Sequence, residues 1–241
     1  MSATQKKTRY IIGIDEAGRA VRKGEPRPDF IIGIDEAGRG PLAGPLVVAG
    51  IRIRIPATTS NAKFKNQNAK IWKDFKNIRD SKKLTPNQRE EWFRILTTHP
   101  DIEYAVARVS PKIIDKINIY QATLLGARRV CFKLRFGGEK RSLERVHVFL
   151  DGGLYVDKKI SQQTIIKGDE KIPVISAASI IAKVTRDRMM RRLHKKYPEY
   201  GFDRHKGYGT KQHVRCILKM GHTPIHRRSF SIHINGSSIV I

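Results

Sequence analysis

Several residue types and patterns are scarce in this 241-residue chain, and their scarcity limits what it can be. There are two cysteines, Cys131 and Cys216, which form no CxxC pair and provide neither a disulfide framework nor a cysteine-rich zinc site. No stretch of about 18 apolar residues occurs, so we expect no membrane-spanning helix. The apolar run at 10–14 stops at Asp15, which makes it too short for a secretory signal. We therefore expect a cytoplasmic protein.

Acidic residues are also in short supply. The chain has 48 Lys and Arg against 22 Asp and Glu, a formal net charge of +26. Such an excess attracts polyanions, so a nucleic acid is the first partner to consider. Charge alone does not distinguish a nucleic-acid enzyme from a basic protein that carries out no chemistry. An anionic membrane surface is disfavoured, because no long basic amphipathic helix stands apart from the rest of the chain.

One nine-residue string, IIGIDEAGR, occurs twice, at 11–19 and again at 31–39. The first copy is followed by a polar, proline-containing linker at 20–29. The second copy runs directly into a Gly/Pro turn and another apolar stretch, which together span 40–51. Only one copy can occupy one structural position, and the second has the sequence context of a strand within a sheet.

We therefore assign the working strand to residues 30–36. Residues 1–29 are expected to form a poorly ordered N-terminal extension that carries the duplicated motif. If the first copy occupied the central strand instead, its acids Asp15 and Glu16 would take the place of the acids of the second copy.

Apolar periodicity and capping residues predict one α/β domain whose helices accumulate towards the C-terminus. Thr85, followed by Pro86 and Gln88, has the pattern of a helix start with a capping box. The remaining predicted strands are 46–51, 102–109, 146–150 and 164–166. The predicted helices begin at Thr85, Ser110, Ser176 and Thr210, and the one from Ser176 reaches about Lys196.

Acidic side chains stand at the ends of two predicted strands. Asp35 and Glu36 close the first strand, and Asp151 closes a later one before two glycines. Ligands of open α/β sheets bind where strands end, and carboxylate oxygens are what Mg²⁺ or Mn²⁺ requires. Adjacent side chains of a strand point to opposite faces, so Asp35 and Glu36 can share a site only if the strand ends there. Two ions about 4 Å apart would activate water and stabilise the leaving oxygen of a phosphodiester.

Each of these acids also has a structural interpretation. Asp151 before glycines is typical of a simple turn, and Asp187, within a predicted helix, is placed to pair with Lys183 or Arg188. The string Asp-Glu-Ala-Gly-Arg-Gly at 35–40 is less easily explained as a turn, because glycines that flank an arginine form a phosphate cradle.

Two other features have open interpretations. The basic run at 186–196 predicts either a solvated helix face or contact with a duplex backbone, and the overall charge favours contact. His222 and His226 are predicted to be structural or phosphate-facing, because Pro224 lies between them and no zinc-like set surrounds them.

The run from Ile31 to Gly50, IIGIDEAGRGPLAGPLVVAG, closely resembles the opening of the ribonuclease HII family. Further motifs of that family follow in its order, namely RDSKKLT at 79–85, Asp-Gly at 151–152, SAASIIAKVTRD at 176–187, GYGT at 207–210 and HRRSF at 226–230. The resemblance covers residues 30–230 and implies a ribonuclease H-like α/β fold. Its features would be a mixed five-stranded sheet flanked by helices and a helical C-terminal part, with residues 231–241 as a C-terminal tail.

The same resemblance implies roles for individual residues. The implied catalytic carboxylates, which would bind two Mg²⁺ or Mn²⁺ ions, are Asp35, Glu36, Asp151 and Asp187. The implied substrate-binding residues are Gly38, Arg39, Gly40, Lys82 and Tyr208. Gly38, Arg39 and Gly40, here called the glycine–arginine loop, would detect the 2′-hydroxyl that distinguishes RNA from DNA. Tyr208 would pack at the RNA–DNA junction, and Lys82 would contact a phosphate.

The resemblance implies an endonuclease that hydrolyses the RNA strand of RNA–DNA hybrids and nicks DNA duplexes 5′ to embedded ribonucleotides. The products would carry 5′-phosphate and 3′-hydroxyl ends, and the role would be ribonucleotide removal during replication and repair. We expect such nucleic acids as the partner, no membrane partner, and a monomer. The alternative is a basic nucleic-acid-binding protein of the same fold without turnover, against which the complete set of four acids argues. The related ribonuclease HIII would need an additional N-terminal substrate-binding domain, for which residues 1–29 are too few.

Overall fold

The computed structural model describes residues 28–55, 78, 83–136, 145–234 and 237–240. The duplicated motif at 11–19 and Lys82 lie outside the described residues. The strands are β1 (Phe30–Ala37), β2 (Leu46–Arg54), β3 (Ile102–Val109), β4 (Val146–Asp151), β5 (Gln162–Ile165), β6 (Ser231–Ile234) and β7 (Ser237–Val240). The helices are α1 (Pro86–Thr98), α2 (Pro111–Phe136), α3 (Gly168–Lys171), α4 (Pro173–Lys196), α5 (Phe202–His205) and α6 (Lys211–Met220), with a 3₁₀ turn at Pro198–Tyr200.

The first five strands form one mixed sheet in the order β3-β2-β1-β4-β5. β2 is antiparallel to both β1 and β3, whereas β4 runs parallel to both β1 and β5. The second copy of the duplicated string therefore provides the central strand, as predicted, and the prediction of a mixed five-stranded α/β sheet is confirmed.

Two long helices cover the two faces of the sheet. On one face, Ala127 and Val130 of α2 pack in a core with Ile32 of β1. On the other face, Ala177 of α4 packs in a core with Ile31. Successive residues of β1 thus enter opposite cores, which is the period-two pattern of a strand that is buried on both sides.

The helix starts agree with the predictions at two threonines and differ at a serine. Thr85 and Thr210 cap α1 and α6, because each side chain accepts a backbone N–H three residues on. Ser176 was predicted to begin the long helix, and that prediction is wrong, because α4 begins at Pro173. The Ser176 hydroxyl lies inside the helix and donates to the carbonyl oxygen of Asp169 at 2.5 Å, which ties α4 to α3.

The helix predicted from Ser110 is broken near its start. Asn118 has a φ of 63° and a ψ of 167° inside α2, a non-helical conformation that interrupts the helix. Its side-chain Oδ1 accepts the N–H of Gln121 at 3.0 Å, so Asn118 acts as the N-cap of the longer second part of α2.

The C-terminal part is helical, as predicted, and packs on the loop after β1. Phe202, Ile217 and Met190 form a third core with Leu42 of that loop. The range 231–241, predicted as a tail, contains the antiparallel pair β6–β7, which the prediction did not include. Of the helices in the described ranges, none has the length and apolar character needed to cross a bilayer.

Gly33 marks the closest approach between β1 and α4. A Cβ atom at this position would lie 2.0 Å from Cγ2 of Val174 and 2.3 Å from the Val174 carbonyl oxygen. Because one of these atoms belongs to the backbone, side-chain rotation cannot relieve the clash. We expect Gly33→Ala to lower the free energy of unfolding by about 1–3 kcal/mol, measured by urea denaturation. Gly153→Ala, where a Cβ would meet no atom within 4 Å, should change it by less than about 0.5 kcal/mol. An unchanged stability for Gly33→Ala would contradict this packing.

Candidate active site

A cavity of about 250 Å³ opens at the edge of the sheet where β1 and β4 end. Its lining residues are Asp35, Glu36, Ala37, Gly38, Arg39, Gly40, Asp151, Asp169, Ser179, Lys183, Arg186 and Tyr208. Three of the four predicted carboxylates are among them, together with the whole glycine–arginine loop and the predicted aromatic residue.

Parallel pairing brings the carboxylates together. Ile34 of β1 lies opposite Leu150 of β4, so Asp35 and Asp151 are the next residues of two neighbouring strands. For Asp35 and Glu36 to share a site, the strand was expected to end at these residues. Instead, β1 continues to Ala37 in its pairing with β2. Glu36 still reaches the cavity, because the register of β1 with β4 stops at Ile34 and leaves that side of β1 open.

Burial of these acids makes their ionised forms unfavourable. The pKa of Asp35 is raised well above its usual value, first by burial and then by the charges of Glu36 and Asp151. The pKa of Glu36 is raised mainly by burial, although the Arg39 guanidinium, 3.4 Å from Oε1, opposes the rise. The pKa of Asp151 is also raised by burial, against the stabilising N–H of Gly168 at 2.6 Å.

The chemistry of this donor set fits a divalent cation. Glu36 Oε2 is buried and has no hydrogen-bond partner among the described residues. A buried oxygen without a partner, next to acids with raised pKa values, is a place where added positive charge is favourable. Within the described ranges, no cluster of three or more His, Cys, Asp or Glu side chains already has the arrangement of a metal site. Asp35, Glu36 and Asp151 are nevertheless predicted carboxylates of this cavity that could hold a cation.

The fourth predicted carboxylate, Asp187, lies beside the cavity. It is one turn of α4 beyond Lys183, a lining residue, and its Oδ1 accepts from Lys183 Nζ at 2.8 Å. The ion pair that the sequence offered as the structural alternative is therefore present. Lys82, the predicted phosphate contact, lies outside the described residues.

Asp169 also lines the cavity, and the sequence interpretation did not include it. It is 3 % exposed, and its charge contributes to the raised pKa of Asp151. Asp169 lies four residues beyond the end of β5 and inside α3, so the strand-end rule that identified Asp151 did not identify this residue.

Two buried arginines hold the loop after β1. Arg227 donates to the carbonyl oxygens of Gly38 and Arg39, at 2.6 and 2.8 Å, and Arg186 donates to that of Ala43 at 3.1 Å. In a trans peptide the C=O and N–H point in opposite directions. The inward carbonyls therefore turn the N–H groups of Arg39 and Gly40 away from Arg227. Successive N–H groups of this kind form a concavity for an anion or a hydroxyl oxygen.

The position of Arg186 differs from what was expected of the basic run at 186–196. The run was expected to contact a duplex, but Arg186 is 1 % exposed and serves the loop from inside. Glycine is required at Gly38 for two reasons. Its φ of +95° disfavours other residues, and a Cβ there would lie 2.0 Å from Arg186 Nε. Arg188 and Arg191 of the same run pair with Glu90 of α1.

Tyr208 stands at the open side of the cavity. Its side chain is 45 % exposed, and the Arg186 guanidinium lies 5.9 Å from the centre of its ring. A Cβ placed on Gly40 would come within 3.9 Å of the ring, so loop and ring face each other closely.

The fold that carries this site is ribonuclease H-like, as solved structures of similar shape show. The structure of ribonuclease HII from Archaeoglobus fulgidus, solved in complex with PCNA, matches at a TM-score of 0.62 and 25 % identity, covering 86 % of this chain and 97 % of that one. Ribonuclease H2 from Pyrococcus horikoshii matches at 0.59 and 29 %, covering 83 % of this chain and 93 % of that one. A ribonuclease HIII solved with Mn²⁺ (Bst-RNase HIII) matches at 0.63 but at 17 % identity, which supports the fold alone.

The sequence narrows this class to one family. A family model described as Ribonuclease HII matches residues 32–233. A protein named Ribonuclease HII from Coxiella burnetii is 42 % identical, covering 91 % of this chain and 87 % of its own length. Another of that name, from Acetivibrio thermocellus, is 45 % identical, covering 95 % of this chain and 72 % of its own length. The chain belongs to the ribonuclease HII family and is an enzyme of the ribonuclease H class.

Burial of Asp35 leads to a prediction about stability without divalent ions. Because its folded-state pKa is raised, the folded protein holds more protons than the unfolded one, and stability falls as pH rises above about 4. Asp35→Asn removes this cost, so in chelator at pH 7 we expect its Tm to exceed that of the wild type by roughly 2–6 °C. The difference should vanish near pH 3.5.

A matched control stands just before the same strand. Asp29 pairs with Arg145, and that side-chain hydrogen bond lowers the pKa of Asp29. Asp29→Asn should therefore leave the Tm at pH 7 unchanged or lower it. A lower Tm for Asp35→Asn at pH 7 would contradict the picture of an uncompensated buried carboxylate.

Proposed function

We propose that the protein is an endonuclease that hydrolyses the RNA strand of RNA–DNA hybrids and nicks DNA duplexes 5′ to embedded ribonucleotides, by two-metal-ion hydrolysis. Its products carry 5′-phosphate and 3′-hydroxyl ends. In the cell this activity removes ribonucleotides during replication and repair. The protein acts as a monomer.

One observation carries the proposal. Asp35, Glu36 and Asp151 line the same cavity as the glycine–arginine loop and Tyr208. A group of acids alone would suggest a cation site, and an amide-lined loop alone would suggest an anion site. Their juxtaposition supports a site where a phosphodiester meets divalent cations.

We assign Asp35, Glu36 and Asp151 as ligands of two Mg²⁺ or Mn²⁺ ions. Bound there, such ions supply a nucleophilic water at neutral pH and stabilise the leaving oxygen. Asp187 is the fourth proposed ligand, and it would have to exchange the Lys183 ammonium, at 2.8 Å, for a cation. The ammonium would then be available to a substrate phosphate.

Recognition of the ribonucleotide is assigned to Gly38, Arg39 and Gly40. The amide N–H groups of Arg39 and Gly40, turned outward by Arg227, are suited to bind a 2′-hydroxyl oxygen, which a deoxyribose lacks. Tyr208 offers an exposed ring for the neighbouring sugar. Lys82 is retained in the proposal as a phosphate contact. The net charge of +26 favours long duplex ligands in general.

The duplicated string provides a matched pair of variants for the activity test. The substrate is a labelled DNA duplex that carries one ribonucleotide, and the assay contains Mg²⁺ or Mn²⁺. We expect wild-type protein to nick it on the 5′ side of the ribonucleotide. Asp35→Asn should lower kcat by about a thousandfold or more, because the variant loses a proposed ligand of the divalent ions on which hydrolysis depends. Asp15→Asn, the same change in the first copy, should retain wild-type activity.

Three results would count against the proposal. Failure of the wild type to cut this substrate with either metal would remove the activity. Loss of activity in Asp15→Asn rather than in Asp35→Asn would transfer the site to the first copy. Salt-sensitive duplex binding that responds neither to metal nor to a ribonucleotide would favour a binding protein without turnover.

Cation binding can be measured separately from activity. Because the acids are buried and short of positive charge, we expect Mn²⁺ at a hundred times its Kd to stabilise the wild type by about 2.7 kcal/mol. The readout is the Tm of the wild type and of Asp35→Asn as a function of Mn²⁺ concentration. A similar rise in both proteins would show that the ions bind elsewhere.

A further inference from the structure

A buried histidine pair contacts the backbone of Tyr208. His213 of α6 is fully buried, and His226, further along the chain, is 3 % exposed. Their two Nε2 atoms lie 3.0 Å apart, so one of them must donate a hydrogen to the other. The rings of Tyr200 and Phe202 pack against both imidazoles.

The outer contacts of the pair determine where each hydrogen resides. The N–H of Thr223 donates to Nδ1 of His226 at 2.9 Å, so the hydrogen of His226 is on Nε2. His226 therefore donates to Nε2 of His213, whose own hydrogen is on Nδ1. That N–H donates to the carbonyl oxygen of Tyr208 at 2.9 Å. The result is a one-way relay from Thr223 through His226 and His213 to Tyr208, which we call the histidine relay.

Both imidazoles of the relay are neutral at neutral pH. Burial, more than any neighbouring charge, lowers the pKa of His213 and of His226 to about 4. The hydrogen-bond pattern requires the same state. A protonated His213 would direct an Nε2–H at the Nε2–H of His226 across the 3.0 Å gap, and a protonated His226 would direct an Nδ1–H at the N–H of Thr223.

The relay ends on a turn that needs support from outside. Lys206 and Gly207 both have left-handed φ angles, of 52° and 84°. The N–H of Gly207 donates to Nδ1 of His205, and its carbonyl oxygen accepts from the N–H of Leu42 at 2.8 Å. Tyr208 follows directly, so the direction of its ring depends on how this turn is held.

The Tyr208 carbonyl has two donors. The N–H of Thr210 reaches it at 2.8 Å within the same turn, and His213 reaches it from α6. The first bond is local and moves with the turn. The second joins the turn to a helix and, through His226, to Thr223. It therefore anchors the Tyr208 end of the turn, while the Leu42 N–H on the Gly207 carbonyl and the Arg186 guanidinium on the Lys206 carbonyl anchor its start.

We propose that His213 and His226 are positioning residues for substrate binding, which hold the Tyr208 ring in the place where it meets the sugar of the ribonucleotide. The inference rests on the proposed function, because it takes Tyr208 as a nucleotide contact. The ring is exposed at the cavity opening, while both histidines are buried away from any ligand. Their effect on a substrate is therefore indirect, and the hydrogen bond of His213 to the Tyr208 carbonyl is the contact that connects them to the cavity opening.

The test compares donor-less and donor-retaining variants of His213 on the single-ribonucleotide duplex. His213→Leu removes the N–H, and we expect KM to rise about tenfold with kcat changed less than about twofold, because the carboxylates remain in place. His213→Asn keeps an N–H on the atom bonded to Cγ, as in the imidazole, and should restore KM to within about threefold. His222→Leu is the control, since His222 packs edge-on against His226 outside the relay and should behave as the wild type.

A double-mutant cycle shows whether the effect passes through Tyr208. Tyr208→Ala should itself raise KM, and His213→Leu added to it should raise KM no further. Independent of kinetics, ¹⁵N NMR of the wild type should find the hydrogen of His213 on Nδ1 and that of His226 on Nε2. This measurement tests the relay even if His213→Leu fails to fold.

The outcomes separate this inference from the proposed function. Nicking by the wild type that Asp35→Asn abolishes supports the function whatever the histidines do. The inference is overturned if His213→Leu has wild-type KM, if its effect multiplies with that of Tyr208→Ala, if His213→Asn is no better than His213→Leu, or if the NMR tautomers are reversed. Absence of wild-type nicking would remove the proposed function and this inference together.

Discussion

The parallel register between β1 and β4 is the constraint on which the site depends. Ile34 opposite Leu150 places Asp35 and Asp151 at one level on neighbouring strands, pointing the same way. Apolar burial on both faces of β1 enforces that register, because a slip by one residue would exchange the two cores. Apolar packing of the sheet therefore also holds two carboxylates in a low-dielectric cavity. The raised pKa values of Asp35 and Asp151 show that their ionised forms are destabilised there.

The acidic and the basic side chains of the cavity have different roles. The acids stand at the strand ends, where cations can reach them, whereas Arg186 and Arg227 are buried beneath the loop and act on its carbonyl groups. Such buried guanidiniums are costly to desolvate, and the several carbonyl oxygens that each one binds offset that cost. The loop is thereby held in a fixed shape beside the acids, which is what recognition of one hydroxyl group requires.

Local signals in the sequence predicted most helices and strands. Features that depend on contacts between residues distant in the sequence were not predicted. Thr85 was identifiable as a cap because its partners lie within one turn, and Asp35 and Asp151 because apolar strands precede them. Ser176 was mistaken for a cap, since its real partner, the carbonyl of Asp169, is set by the packing of α3 on α4. Arg227 lies 189 residues from the Gly38 carbonyl that it binds, and 13 residues separate the two histidines of the relay. No spacing rule connects such positions.

The central claim is that Asp35, Glu36 and Asp151 form one cation-binding cluster. The most direct measurement is a crystal structure of the protein grown with Mn²⁺, with anomalous differences recorded to locate the ions. We expect Mn²⁺ peaks bound by Asp35 and Asp151 within the cavity. Peaks confined to other parts of the molecule, with these two carboxylates unliganded, would contradict it.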